Sequence, residues 1–92
     1  MPMLDPTIRA CAEYLRKHPE VHNWRGVNLG AKFYASQKNG FWSLHDRRSH
    51  GTIYRSSNLA HIMAEAMYYD PQITLTRDIT QCRQYGLADE ID

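Results

Sequence analysis

The sequence predicts an α+β domain: a helix, a three-stranded antiparallel sheet, a second helix and a short C-terminal extension, itself read as helical. Three observations predict it. Apolar residues recur at helical spacing early in the chain, alternate with period two around Asn39-Gly40, and return to helical spacing from Leu59. A chain of 92 residues makes one domain, 1–92, with a modest core.

The first helix follows Asp5-Pro6, an N-cap residue with proline at the first helical position. Ile8, Cys11, Ala12 and Leu15 then fall at the i, i+3, i+4, i+7 spacing of one face, and Pro19 ends the helix near His18. Residues 19–30 contain proline and two glycines and read as a connecting loop, from which Trp24 and Val27 fold onto the core. Beyond it, Ala31, Phe33 and Ala35 alternate with Lys32, Tyr34 and Ser36. Asn39 and Gly40 both tolerate the positive φ of a type I′ hairpin turn. A two-residue loop there sets Lys38 opposite Phe41, Gln37 opposite Trp42, Ala35 opposite Leu44 and Tyr34 opposite His45.

That register divides the hairpin into two faces. Phe33, Ala35, Trp42 and Leu44 form a core face, and Lys32, Tyr34, Lys38, Phe41, His45 and Arg47 form an open one. Residues 48–51 read as a second turn and Thr52-Ile53-Tyr54-Arg55-Ser56 as a third strand. Ser57-Asn58 caps the second helix, whose core face is Leu59, Ile62, Met63, Ala66 and Met67, and Asp70-Pro71 stops it. In the extension, Leu75, Ile79, Cys82 and Tyr85 suit a short helix ending at Gly86, while Ile73 and Leu75 alone suit a strand. Cys11 and Cys82 each fall on an apolar helix side and read as buried thiols, not as a disulfide or metal site.

Composition limits the function. Hydrophobic residues are 42 % and charged residues 23 % of the chain, and no apolar run approaches the roughly 18 residues of a membrane span. The N-terminus has neither the basic nor the apolar region of a signal peptide, so a cytoplasmic protein with no membrane partner is expected. The net charge of +1 conceals a polarised chain: residues 21–60 hold six Lys or Arg against Asp46 alone, whereas residues 61–92 are acidic.

No phosphate loop, nucleophile elbow, paired-carboxylate motif or metal-ligand spacing is present, so no cofactor, metal or small-molecule substrate is expected. His45, His50, Arg47, Arg48 and Tyr54 are the residue types a ribonuclease uses, and length and element order are similar to those of small bacterial ribonuclease toxins. Nothing at fixed spacing marks those histidines as catalytic, and the chain reads as a non-enzyme. Cations that neutralise phosphates and aromatics that stack on bases share the open face. The helix-strand-strand-strand-helix order over residues 6–70 also resembles the double-stranded-RNA-binding domain, which implies a direct nucleic-acid-binding module. Where that family carries a lysine cluster at the second helix, this chain has Asn58, Leu59, Ala60 and His61.

Eight arginines against three lysines, with ten aromatics, match the composition of protein interfaces. A compact, charge-polarised chain without catalytic signature resembles the small phage-encoded inhibitors of host defence, in particular anti-CRISPR proteins. The resemblance implies a stoichiometric inhibitor of a multi-subunit host protein or ribonucleoprotein complex, an RNA-guided effector foremost, with contact to RNA or DNA phosphates. The residues expected at the contact are Lys32, Tyr34, Lys38, Phe41, His45, Arg47, Arg48, Tyr54 and Arg55. Charge reversal at Arg47 and Arg48 together is expected to abolish binding while leaving the fold intact.

Overall fold

The computed structural model describes residues 5–82. Helix α1 (Pro6–Lys17) and a 3-10 helix (Pro19–Asn23) lead into β1 (Gly26–Leu29), β2 (Phe33–Lys38), β3 (Phe41–Asp46) and β4 (Thr52–Ser56). Helix α2 (Leu59–Tyr69), a one-turn α3 (Leu75–Asp78) and β5 (Ile79–Gln81) follow. The strands form one sheet in the order β4-β3-β2-β1-β5, every neighbouring pair antiparallel.

The sheet therefore has five strands where three are expected. The α+β class stands and the strand count is corrected. Both extra strands are set by partners. Gly26-Val27-Asn28-Leu29 is short and half composed of poor strand formers, but β2 offers it a complete ladder from Gly26↔Ser36 to Leu29↔Phe33. Segment 19–30 is thus a 3-10 turn and a strand rather than a loop. In the extension the helix stops at Asp78, and Ile79 begins a strand on β1 with Leu29↔Ile79 and Val27↔Gln81. Tyr85 and Gly86 lie outside the described residues. The two added strands also depart from the double-stranded-RNA-binding topology.

The local signals are realised where the chain determines them locally. Asp5 accepts the Thr7 amide at 2.7 Å and Asn58 accepts the Ala60 amide at 3.0 Å, each capping a helix. Asn39 (φ 57°) and Gly40 (φ 84°) make the left-handed turn, and the β2–β3 register is the expected one, Lys38↔Phe41 through Tyr34↔His45. Helix α2 lies against β1, β3 and β4 on one face of the sheet, and α1 packs on α2. Val27, Leu29, Phe33, Ala35, Trp42 and Leu44 meet Leu59, Ile62, Met63 and Ala66, with Cys11 and Leu15 closing the core. Of the predicted α1 face Ala12 is exposed; Tyr14 packs on the core in its place. The Cys11 thiol is pushed up to about 11 by burial and by the Asp5 carboxylate, and it stays protonated at neutral pH. Cys82 is also a buried free thiol, although it follows a strand and not a helix. No helix of the described residues is long and apolar enough to cross a membrane.

Gly30 joins β1 to β2 at φ +81°, and a Cβ there would meet Ile73 Cγ1 at 2.9 Å. Gly30→Ala therefore combines a left-handed backbone with a clash and is expected to destabilise the fold by about 2 kcal/mol. A denaturant midpoint equal to that of the wild type would refute this account of the β1–β2 turn.

Candidate binding interface

The face of the sheet away from the helices has two layers. The lower layer is a polar cluster that reaches all five strands. Thr80 on β5 accepts from the Asn28 amide on β1 at 3.0 Å, and Asn28 Oδ1 accepts from Arg47 Nη2 at 2.8 Å. The same nitrogen donates to the Phe33 carbonyl at 3.0 Å, and the guanidinium lies 5.3 Å from the centre of the Tyr34 ring. Tyr34 on β2 stacks on His45 of β3 with centroids 4.8 Å apart, and its hydroxyl is hydrogen-bonded to His50 Nδ1 at 2.8 Å. His45 has Ser36 Oγ 2.9 Å from Nε2 and Thr52 Oγ1, on β4, 3.5 Å from Nδ1.

This layer corrects two expectations. Tyr34 is not an exposed stacking platform; it is 1 % exposed, roofed by His45, His50 and Arg47. Arg47 is half-buried, its Nη2 shared between two acceptors and its guanidinium over the Tyr34 ring, so its role is to hold β1, β2 and the 47–50 turn together. Asn28, Ser36, Thr52 and Thr80, which complete the cluster, carry no signal in sequence beyond period-two alternation. The His50 backbone, at φ 62°, is held there by its amide donating to the Asp46 carbonyl.

The upper layer is cationic. Lys38, Arg48 and Arg55 are exposed, as is Lys32 at the strand end, and no hydrogen bond or ion pair engages their side chains among the described residues. Phe41, paired with Lys38 beside the turn, is 51 % exposed. Arg55 stands opposite Ser43, placing it on the open face. Tyr54 does not join them. It pairs with Leu44 and packs on the core, because a bulge between Leu44 and His45 leaves Ile53 as the extra residue of β4. The third strand follows a four-residue turn with no register signal, so its facing was not determined by the sequence.

Ala31, Lys32, Phe33, Asp46, Arg47 and Arg48 line a notch of about 400 Å³ at the end of the sheet where β2 begins and β3 ends. Asp46 Oδ1 there accepts the Arg48 amide at 2.8 Å. A groove of about 440 Å³ adjoins it through Ala31 and Lys32 and includes Tyr69, Asp70 and the Arg77–Asp78 pair. The arrangement suits recognition of an extended anionic surface: a rigid polar floor, four uncommitted cations and one exposed aromatic ring. Compared with known proteins, the chain matches no family model, no curated protein and no solved structure.

Proposed function

We propose that the protein is a non-enzymatic, stoichiometric inhibitor that binds a host nucleoprotein complex through its open sheet face. In this it is similar to the phage-encoded inhibitors of host defence, anti-CRISPR proteins among them, and it acts in the cytoplasm of the host. The observation that carries the reading is the division of labour on that face. The histidines, the tyrosine and Arg47 are spent on one another, whereas Lys32, Lys38, Arg48 and Arg55 have no partner among the described residues. Side chains of catalytic type thus serve as scaffold, and the groups left to meet a ligand are cations suited to phosphates or acidic patches.

The test is capture from a bacterial lysate with the tagged full chain, half of the lysate being nuclease-treated. A multi-subunit partner retained in fixed stoichiometry after nuclease is the expected result. Recovery of nucleic acid alone, lost on nuclease treatment, would replace the inhibitor reading with direct nucleic-acid binding.

A further inference from the structure

We infer that the notch between the 30–32 and 47–48 turns seats one nucleotide of a phosphodiester strand, its phosphate held between Lys32 and Arg48. The notch carries three cations against a single acid, and that acid, Asp46, is partly occupied by the Arg48 amide. Arg47 is turned to Asn28 and the Phe33 carbonyl, which leaves Lys32 and Arg48 as the cations able to reach an incoming anion. Ala31 and Phe33 supply an apolar lining beside that cationic rim. A volume of about 400 Å³ is far larger than inorganic phosphate needs and lies in the range of small-ligand sites. The occupant therefore has an anionic end and an apolar body.

Continuity argues for a strand over an isolated phosphate group. The adjoining groove shares Ala31 and Lys32 and holds the Tyr69 ring, 49 % exposed; its Arg77 is paired with Asp78, and Asp70 is a second acid there, so the groove offers a stacking face and, among the described residues, no further free cation. An aromatic face one step along is what a neighbouring base requires, and the phosphate between the two nucleotides stays on Lys32, which lines both the notch and the groove. The inference rests on the proposed reading in one respect: the partner's contacting surface includes its nucleic acid.

The experiment is amide NMR on the purified full chain, titrated separately with adenosine monophosphate, adenosine, inorganic phosphate, O-phosphotyrosine and a short oligoadenylate. Adenosine monophosphate is expected to shift the amides of Lys32, Phe33, Arg47 and Arg48, with adenosine and phosphate each roughly tenfold weaker. Lys32→Gln and Arg48→Gln, each with an otherwise unchanged spectrum, are expected to weaken the nucleotide by roughly tenfold. Tighter binding of the oligoadenylate identifies a strand as the source of the nucleotide; equal binding identifies the free nucleotide and overturns the strand. Shifts elsewhere, no shifts, or phosphotyrosine equal to the nucleotide would overturn the seat. If the nucleotide fails to shift these amides while the wild-type chain still captures a protein complex from lysate, the seat has failed and the inhibitor reading has not.

Discussion

Arg47→Ala is expected to destabilise the protein by about 3 kcal/mol, a larger loss than other single changes on the open face. The guanidinium does three things at once: it donates to Asn28 Oδ1, donates to the Phe33 carbonyl and covers the Tyr34 ring. Hydrogen bonds from a charged donor contribute about 1.5–3 kcal/mol each, and the cation–π contact adds about 1 kcal/mol where it is partly desolvated. These do not simply add, because alanine also lets water reach the carbonyl. The loss propagates through Asn28, which bridges Arg47 to Thr80 and so ties the three-residue β5 to the rest of the sheet. Arg47→Lys should recover less than half of the stability, since an ammonium cannot lay a flat, delocalised face over the Tyr34 ring while donating to both acceptors. Urea denaturation of the three proteins measures the effect. Equal midpoints for Arg47→Ala and wild type would show that the cluster is ornamental, and would return Arg47 to the set of cations available for binding.

The same residue shows what sequence could and could not disclose. Signals that act within a few residues are legible: the Asp5 and Asn58 caps, the stop at Asp70-Pro71, and the Asn39-Gly40 turn with the register it enforces. Helix α2 is legible for the same reason, its period being carried by contiguous residues. What escapes is decided across the sheet. Gly26–Leu29 becomes a strand because Phe33–Lys38 offers it an edge, and Ile79–Gln81 because Gly26–Leu29 in turn has one free. The open face follows the same division. Alternation places Tyr34, His45 and Lys38 on one side of the hairpin, but it cannot say that Arg47 folds back over Tyr34 or that His50 reaches its hydroxyl. A basic, aromatic face is thereby legible as a composition, while its separation into locked floor and available rim depends on contacts between residues far apart in the chain. The Tyr54 assignment fails on this point, since a bulge and a distant pairing decide which way a short edge strand faces.

That separation makes a second large effect predictable. Lys38→Glu, Arg48→Glu and Arg55→Glu combined should leave stability within about 0.5 kcal/mol of wild type, because none of the three side chains has a hydrogen-bond or ion-pair partner among the described residues. Binding to the captured partner should nonetheless fall by roughly a hundredfold to a thousandfold. Each reversal replaces attraction by repulsion at an anionic surface, and about 1–1.5 kcal/mol per position, at about 1.4 kcal/mol per decade, gives that range. The salt dependence carries further information. If phosphates are the counterpart, the slope of log affinity against log salt should shrink by about 2 in the triple variant, since a cation on a single strand releases about 0.7 counterion. An acidic protein patch would show itself in slower association, with a smaller change of slope. The measurement is a binding isotherm at several salt concentrations for the wild type and the triple variant, with a denaturation curve for each. A folded triple variant that binds as tightly as the wild type would remove the open face from the interface altogether. The exposed Tyr68 and Tyr69 at the end of α2 would then be the next surface to mutate.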